Sequence, residues 1–346
     1  MQSDWQVNLD KYQANILDGK VVDFGQAEQE LAAVSNNVIC DLSHYGLISA
    51  AGADTADFLQ GQFSNDVRNV SVESSQLNAY CSPKGRILAS FRLFYFKDKY
   101  YLQLPTSLLE QTLKRLRMFV MRSQVTLENA SEELVRMGAA GPDIAQLISD
   151  LGFACPAEVD AAKQTGNVLV IRIPGQVPRF EIHGPVAELI PVWEGLADKS
   201  TMVGSAIWSL LDIQTGLPVI QSETTESFVP QMVNLELING VSFKKGCYPG
   251  QEIVARMQYL GKLKKRMFRA HIQSDESIYP GDALYSGSSD NKQSVGNIVN
   301  AQPSPDGGYD VLAVIQVTEA DQGEVRVGNK NGSILEITKL PYSLSA

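Results

Sequence analysis

The sequence predicts an α+β protein that ends in a separate β domain. Strand-like and helix-like segments alternate through about residue 260, which is the pattern of an α+β fold. From Met267 onward, short strands are separated by Pro-Gly, Ser-Gly, Asp-Gly-Gly and Asn-Gly turns, as in a small closed or nearly closed β domain. The 346 residues, 44% hydrophobic and 20% charged, have a globular composition and suffice for two or three domains.

Hydrophobic patterning predicts the individual elements. After a polar lead-in of about 37 residues with room for one short helix, the apolar runs and turn residues mark strands and helices alternately. The predicted strands are residues 38–40, 46–48, 87–96, 100–102, 167–173 and 180–182. The predicted helices are residues 53–60, 107–121, 186–196 and 205–212. Residues 87–102 should form a hairpin, and the helix after it should pack one apolar face on that hairpin.

Composition argues for a cytoplasmic protein without a metal site. The first ten residues are polar and lack the apolar run of an export signal, and no segment is apolar for long enough to span a bilayer. The four cysteines form no CxxC pair, and the three histidines are isolated from one another. We therefore expect reduced thiols and no bound metal.

The charge is strongly segregated. The formal net charge is −10, which argues against a surface that grips nucleic acid everywhere. Residues 244–269 nevertheless carry eight basic residues and only one acid. Such a segment favours an anionic partner, which could be a polyanionic cofactor tail, a phosphate group or an RNA backbone. Any single lysine within it is more often a solvated surface residue.

The segment around Cys247 is the least generic part of the chain. Two glycines and a proline lie within five positions, so the cysteine is held at a defined place on a loop. If residues 251–257 form a helix, the thiol lies just ahead of a helix amino end, beside Lys244 and Lys245. Both features favour a thiolate. The alternative is ordinary packing, because most intracellular cysteines are buried and inert.

Two other features have an ordinary explanation beside a functional one. The Pro-Lys-Gly-Arg turn at residues 83–86 could contact a phosphate or carboxylate, although a plain turn is the commoner explanation. Trp208 lies in an apolar helical run, where tryptophan is more often core than a platform for a flat ligand.

Residues 245–252 read Lys-Gly-Cys-Tyr-x-Gly-Gln-Glu and continue into Val-Ala-Arg at 254–256. In this specific motif the chain resembles the folate-binding, tRNA-modifying branch of the superfamily that includes the glycine-cleavage aminomethyltransferase, the YgfZ type. Further matching pieces extend over most of the chain. They are residues 52–54, 59–62, 83–86, 216–219, 228–231, 234–235 and 340–344.

The resemblance implies a clover-leaf of three domains, two ferredoxin-like α+β domains and a C-terminal β-barrel, around a site for tetrahydrofolate or a derivative. The implied domains are residues 1–136, 137–261 and 262–346, with the first two interleaved in sequence. Cys247 would be the functional thiol and Lys245 would assist it. The implied folate-binding residues are Tyr45, Trp208, Tyr248, Gln251, Glu252 and Arg256, with the first two stacking on the pterin.

Departures from the family pattern bear on mechanism. Aminomethyltransferases carry an acidic pair shortly after the glycines that begin the hairpin, and one of these carboxylates assists chemistry at the folate nitrogen. This chain has Ala89 and Ser90 at those places, so that proton-transfer route is absent. Pro249 replaces a threonine or aliphatic residue and should stiffen the thiol loop. The resemblance therefore favours a binding protein over an enzyme.

The residues and the resemblance are consistent with three functions. The first is a folate-binding accessory factor that supports iron–sulfur cluster synthesis or repair and thereby tRNA methylthiolation, with iron–sulfur enzymes as partners. The second is a folate-dependent one-carbon transferase or demethylase that uses Cys247, against which the missing carboxylate argues. The third is direct tRNA binding through the basic stretch, which the acidic total charge and the lack of a recognised RNA-binding module weaken.

Overall fold

The structure is a computed structural model that describes residues 1–259, 263–287 and 293–344. The chain divides into two compact units that are interleaved in sequence. Unit 1 comprises Met1–Phe58, Arg68–Gln76 and Arg92–Leu211, and unit 2 comprises Leu59–Val67, Leu77–Phe91 and Asp212–Ala346. The two boundaries between the three predicted domains stay a prediction, and the one at residues 261–262 lies outside the described residues, as does Lys262 of the basic stretch.

The described helices follow the predicted positions closely where a prediction was made. They are α1 (Ser3–Asp10), α2 (Ala27–Ala32), α3 (Thr55–Gln60), α4 (Thr106–Val120), α5 (Ile144–Asp150), α6 (Val186–Ala197), α7 (Ser205–Gln214), α8 (Gln251–Tyr259) and α9 (Val317–Gln322). Among the described residues, no helix combines the length and the apolar character that crossing a membrane requires.

The strands form one hairpin and three larger sheets. They are β1 (Asn15–Leu17), β2 (Lys20–Asp23), β3 (Val38–Asp41), β4 (Tyr45–Ala51), β5 (Gln76–Cys81), β6 (Ile87–Phe96), β7 (Lys99–Pro105), β8 (Thr126–Asn129), β9 (Val135–Ala140), β10 (Ala162–Thr165), β11 (Val168–Arg172), β12 (Arg179–Gly184), β13 (Thr201–Val203), β14 (Lys265–Ile272), β15 (Ala283–Ser286), β16 (Gly296–Pro303), β17 (Tyr309–Gln316), β18 (Val325–Val327) and β19 (Leu335–Thr338).

Unit 1 is built on a six-stranded sheet with the order β10-β11-β12-β9-β3-β13. Phe180 and Ile182 alternate along β12 on the face that enters the hydrophobic core. Trp5 of α1 and Trp193 of α6 meet edge to face in that core, with their ring centroids 5.4 Å apart. Helices α1 and α6 therefore cover one face of this sheet, and the other face carries the odd-numbered residues of β12.

A second sheet has the order β5-β6-β7-β4-β8. The predicted hairpin is present as β6 and β7, with Phe96 opposite Lys99 at the turn. Lys97 and Asp98 both have positive φ there, as the central residues of a tight two-residue hairpin turn require. Four apolar residues at helical spacing, Leu109, Leu113, Leu116 and Val120, predict the apolar face of helix α4, and the first three are buried.

The last part of unit 2 is a six-stranded antiparallel sheet with the order β18-β15-β16-β17-β14-β19. Its two outer strands approach each other, since Arg326 of β18 forms a bridge with Ile334 just before β19. The Val327 amide also donates to the Ser333 carbonyl at 3.1 Å. The sheet thus curls into a half-barrel, which confirms the predicted α+β fold ending in a β domain.

Several elements escaped prediction. The polar lead-in holds two helices and a hairpin rather than one short helix. Its few apolar residues, such as Trp5 and Leu9, are enough to anchor it because they are buried in the hydrophobic core. Strand β9, sequence Val-Arg-Met-Gly-Ala-Ala, was missed because glycine and alanine give no strand signal. Its residues are nevertheless all buried, since β12 and β3 pair with it on both sides.

His44 should make unit 1 sensitive to acid. Both ring nitrogens are buried without a hydrogen-bond partner among the described residues. Burial, followed by the charges of Arg136 and Lys20, lowers the pKa of His44 to about 3. The unfolded chain binds this proton near pH 6.5 and the folded chain only near pH 3, so stability falls as the pH drops through that window.

We expect His44→Phe to flatten this loss. Between pH 7 and pH 4 the free energy of unfolding of the variant, measured by urea titration, should fall by on the order of 2 kcal/mol less than that of the wild type. The difference in the free energy of unfolding between the two proteins at pH 8 sets the reference, because His44 is neutral there in both the folded and the unfolded wild type. Parallel curves for the two proteins over the whole range would refute the expectation.

Candidate functional site

In unit 2, Cys247 lies on a loop shortly before α8. The structure confirms the expected helix, which begins at Gln251. The thiol is exposed, whereas Cys40 and Cys81 are buried and Cys155 is half-buried. An exposed thiol can meet a reactant, and a buried structural one cannot.

Lys245 holds this loop in place. Its ammonium is buried and donates to the carbonyl oxygens of Gln60, Phe63 and Asn65, at 2.6, 2.5 and 2.9 Å. Three acceptors match the three N–H donors of an ammonium group. In the structure Lys245 therefore fastens the thiol loop to the last residue of α3 and to the segment that follows it. Its predicted part in the chemistry of Cys247 stays a prediction.

Tyr248 is the buried neighbour of the thiol. The Lys245 ammonium lies 5.2 Å from the centroid of its ring, which adds a cation–π contact. Burial, with a smaller contribution from Cys81, raises the pKa of Tyr248 well above its usual range. The phenol is thus neutral and packs within unit 2, while the side chain next to it points to solvent.

Two glycine turns are in direct contact beside the loop. Gly250 has φ +81°, and a Cβ on it would lie 2.4 Å from the Ser82 carbonyl oxygen and 2.6 Å from the Gly85 Cα. Neither distance is compatible with a side chain. The turn at residues 83–86 therefore packs on the start of α8.

The remaining motif residues lie on α8. Gln251 is half-buried, and its backbone N–H donates to the Tyr248 carbonyl oxygen at 3.1 Å. Glu252 and Arg256 are exposed. The last two are one helical turn apart, on the same side of α8. The structure thus brings Cys247, Lys245, Tyr248 and these α8 residues together in unit 2.

Tyr45 and Trp208 belong to unit 1. Tyr45 begins β4 and is buried, with its ring centroid 4.4 Å from that of His44. Trp208 of α7 has no exposed surface. The Arg179 guanidinium lies 4.0 Å from the centroid of the indole ring and donates to the Trp208 carbonyl oxygen at 3.0 Å.

Trp208 is also pressed against β9. A Cβ on Gly138 would lie 2.5 Å from the indole ring, so only glycine fits there. A flat ligand can stack on Trp208 only if Arg179 moves aside. The stacking role of Trp208 stays a prediction, and packing is the role that the structure displays.

Sequence reasoning missed a buried polar layer in unit 1. Arg179, Glu181 and His183 alternate on the face of β12 opposite its core side, and all three are buried. Arg136 of β9 lies directly beside His183, and Arg92 of β6 adds a third guanidinium. Hydrophobic periodicity alone does not show that the polar residues of β12 are buried, because the same alternation is typical of a strand with one face in solvent. The sequence signal that could have located the layer is the alternation of ionisable with apolar residues along this strand.

The layer concentrates positive charge around one carboxylate. Arg92 lies 2.5 Å from Asp160 and 3.8 Å from Glu181, and His183 also lies 3.8 Å from Glu181. Burial acts to raise the pKa of Glu181, but the interactions with His183 and Arg92 outweigh that effect, so the pKa is lowered and Glu181 is ionised at neutral pH. Burial lowers the pKa of His183, so its imidazole is neutral at that pH.

Glu181 has unused hydrogen-bonding capacity. Its Oε2 and both ring nitrogens of His183 are buried and have no hydrogen-bond partner among the described residues. Such groups are uncommon in folded proteins because each costs free energy, and a bound molecule is one way to satisfy them. A carboxylate of this kind accepts paired N–H donors from a ligand edge.

The two positions at which the family resemblance implies an acidic pair are structural here. Ala89 and Ser90 are buried on β6. The Ser90 hydroxyl accepts from the Ile220 amide at 3.0 Å and lies 3.5 Å from the Pro218 carbonyl, so it holds the Gly-Leu-Pro-Val segment. A hydroxyl so engaged is no substitute for a general acid.

A cavity of about 390 Å³ lies elsewhere in unit 1. Its wall includes Gly52, Val72, Tyr95 and Tyr100, and none of the predicted site residues lines it. The predicted site and this cavity are therefore separate features.

Comparison with known proteins identifies a matching family model and two similar proteins. The family model described as GCVT N-terminal domain matches residues 10–245. The tRNA-modifying protein YgfZ of Colwellia psychrerythraea is 33% identical over 316 residues, 91% of this chain and 96% of the relative. The protein of the same name from Yersinia enterocolitica is 29% identical over 307 residues, 89% of this chain and 93% of the relative.

A solved structure shares the fold. The glycine cleavage system aminomethyltransferase T from Bartonella henselae superimposes with a TM-score of 0.77, covering 98% of this chain and 96% of the other at 16% identity. This likeness confirms the aminomethyltransferase-like fold that the sequence predicted.

Proposed function

Because the chain belongs to the GCVT N-terminal domain family, and its YgfZ relatives match over about nine-tenths of its length, we propose that it binds a reduced folate and supports tRNA modification. The observation that carries the folate part is the ionised, incompletely satisfied carboxylate of Glu181 in a buried layer. The tRNA part rests on the names of the relatives.

The chemistry of a pterin suits the polar layer. One edge of the pterin carries an amino group beside a ring N–H, and a carboxylate accepts two such donors side by side. Glu181 would hold that edge, and His183, neutral and lacking a hydrogen-bond partner among the described residues, would hold a second polar atom of the ring. Stacking falls to Trp208 and Tyr45, with Arg179 moving off the indole ring.

The thiol supplies the second half of the proposal. Cys247 is exposed and held on a loop that Lys245 fixes, as accessory chemistry on an iron–sulfur cluster or its client enzyme requires. The alternative, a one-carbon transferase or demethylase using Cys247, lacks a general acid at Ala89 and Ser90. The folate roles of Tyr248, Gln251, Glu252 and Arg256 and the cytoplasmic location stay predictions.

Titration with tetrahydrofolate tests the folate site. Followed by intrinsic fluorescence, Glu181→Gln should bind at least about tenfold more weakly than wild type, since a charge-assisted hydrogen bond is worth about 1.5–3 kcal/mol. Trp208→Phe, which keeps an aromatic ring in the core, should also weaken binding if the indole stacks on the ligand.

The matched control is Glu132→Gln, the same change at an exposed carboxylate of unit 1, which should bind like wild type. Unfolding curves of each variant separate loss of binding from loss of fold. If folded Glu181→Gln bound tetrahydrofolate with wild-type affinity, the pterin would lie elsewhere. Unchanged affinity of Trp208→Phe would remove only the stacking role.

A further inference from the structure

Unit 2 carries a group of cations that no carboxylate neutralises. Among the described residues, none of them lies within 4.0 Å of an acidic oxygen. Their neighbours Arg266 and Arg269 are paired with Glu236 and Asp310. This cationic surface consists of Lys84, Arg86, Lys244, Arg256, Lys264 and Lys265.

Packing within unit 2 assembles the cationic surface from separate segments. Gly85 approaches α8 closely, since a Cβ on it would lie 3.0 Å from Ile253 and 3.3 Å from the Gly250 carbonyl. The turn that carries Lys84 and Arg86 is thereby fixed beside the helix that carries Arg256. Arg86 is close enough to Lys265 that, after burial, its charge helps to lower the pKa of Lys265.

Repulsion of this kind costs stability unless an anion relieves it. Glu252, one helical turn before Arg256 on α8, is the one acid in residues 244–269, so a bound anion would supply negative charge that a single carboxylate cannot. The chain as a whole is acidic, with a net charge of −10, so its composition alone would not place positive residues together.

An exposed aromatic ring lies next to these cations. Tyr259 ends α8 and is 70% exposed, more than any other tyrosine among the described residues. Phe243, just before Lys244, touches its ring edge to face with centroids 6.2 Å apart. Arg256 and Tyr259 are three residues apart, so they share one side of the helix. Phe243 therefore supports the Tyr259 ring from one side, while most of the surface of Tyr259 is exposed to solvent.

We propose that the cationic surface and Tyr259 bind a single-stranded segment of RNA, with phosphates on the cations and a base stacked on the tyrosine. The pairing of a positively charged track with an exposed aromatic platform is how proteins hold unpaired nucleotides. An acidic protein partner would use the charges but would not need the flat ring. The inference goes beyond the proposed function, because supporting tRNA modification requires no contact with RNA.

The bound strand would lie beside Cys247. The thiol is exposed on the loop between Lys244 and α8, so cationic residues precede and follow it in the same surface. The geometry assigns no reaction to this neighbourhood.

Fluorescence anisotropy with a labelled RNA hairpin that has an unpaired loop tests the proposal. Saturable binding is expected, stronger than to a fully paired RNA duplex of the same length. Tyr259→Ala should weaken binding about tenfold, since stacking of one base is worth about 1–3 kcal/mol. Arg256→Gln should weaken it too and reduce the slope of log affinity against log salt by about 0.7.

Matched controls lie on the same chain. Tyr279, also in unit 2 and 61% exposed, is flanked by acids, and Tyr279→Ala should bind the hairpin like wild type. Lys114→Gln changes an exposed lysine of unit 1 and should also be neutral. Tetrahydrofolate titration of Tyr259→Ala, Tyr279→Ala and Lys114→Gln should give the wild-type affinity, which shows that the fold is intact and keeps this test independent of the folate proposal.

Equal affinity of Tyr259→Ala and Tyr279→Ala for the hairpin would overturn the proposal, as would the absence of saturable binding. Competition with a poly-glutamate peptide distinguishes the other macromolecule. A peptide that binds while the hairpin does not would identify the surface as a site for an acidic protein and overturn the assignment to RNA.

Discussion

Replacing Lys245 with methionine is expected to lower the free energy of unfolding by about 3 kcal/mol or more, since it removes three hydrogen bonds from a charged group and leaves buried carbonyls without donors. The three acceptors are the carbonyl oxygens of Gln60, Phe63 and Asn65. Methionine keeps an unbranched side chain that can pack on Tyr248, so the change tests the ammonium rather than its stem. Urea unfolding measures the loss.

Lys244→Met is the control for this change. Lys244 is the adjacent residue in the chain and is exposed, so the same substitution there should alter stability by no more than about 0.5 kcal/mol. Similar effects of the two variants would show that the ammonium of Lys245 contributes little to stability.

Replacing Cys247 with serine is expected to abolish function without affecting the fold. The side chain is exposed, so stability should change by no more than about 0.5 kcal/mol, and tetrahydrofolate affinity should stay at the wild-type value. In a strain that lacks its own homologue, the variant should leave thiolated tRNA bases at the level of the empty vector, because a hydroxyl cannot replace a sulfur atom as nucleophile or ligand.

Cys155→Ser controls for thiol loss in general. Cys155 is half-buried in unit 1, away from the motif, and its serine variant should restore the modified bases. If Cys247→Ser restored them as well, the thiol would be dispensable for the accessory role. If instead it abolished a measurable one-carbon transfer from folate, the enzyme alternative would prevail.

Local patterns predicted the elements whose formation depends on nearby residues. Leucines at helical spacing marked α4, the hairpin turn at Lys97 and Asp98 joined β6 to β7, and α8 began at the expected residue. The thiol loop was recognised because its motif is contiguous. In each case the residues that decide the structure lie within one or two turns of each other.

Long-range pairing set the rest. The carbonyls that Lys245 binds lie about 180 residues earlier in the chain, so no local pattern could disclose that the lysine fastens the thiol loop. Glu181 and His183 escaped notice because charged residues on the inner face of a strand break the usual apolar alternation. Buried ionisable residues such as these are recognised as a site only when the positions of the neighbouring strands are known.

The interleaving of the two units constrains how the polypeptide acquires its structure during synthesis. When the ribosome has made residues 59–67 and 77–91, the remainder of unit 2, from Asp212 onward, does not yet exist. These early segments must wait, partly uncovered, until Lys245 and the half-barrel emerge more than a hundred residues later. No single cut of the chain separates the units, so a nascent fragment ending anywhere before α8 is a candidate for chaperone capture rather than for independent folding.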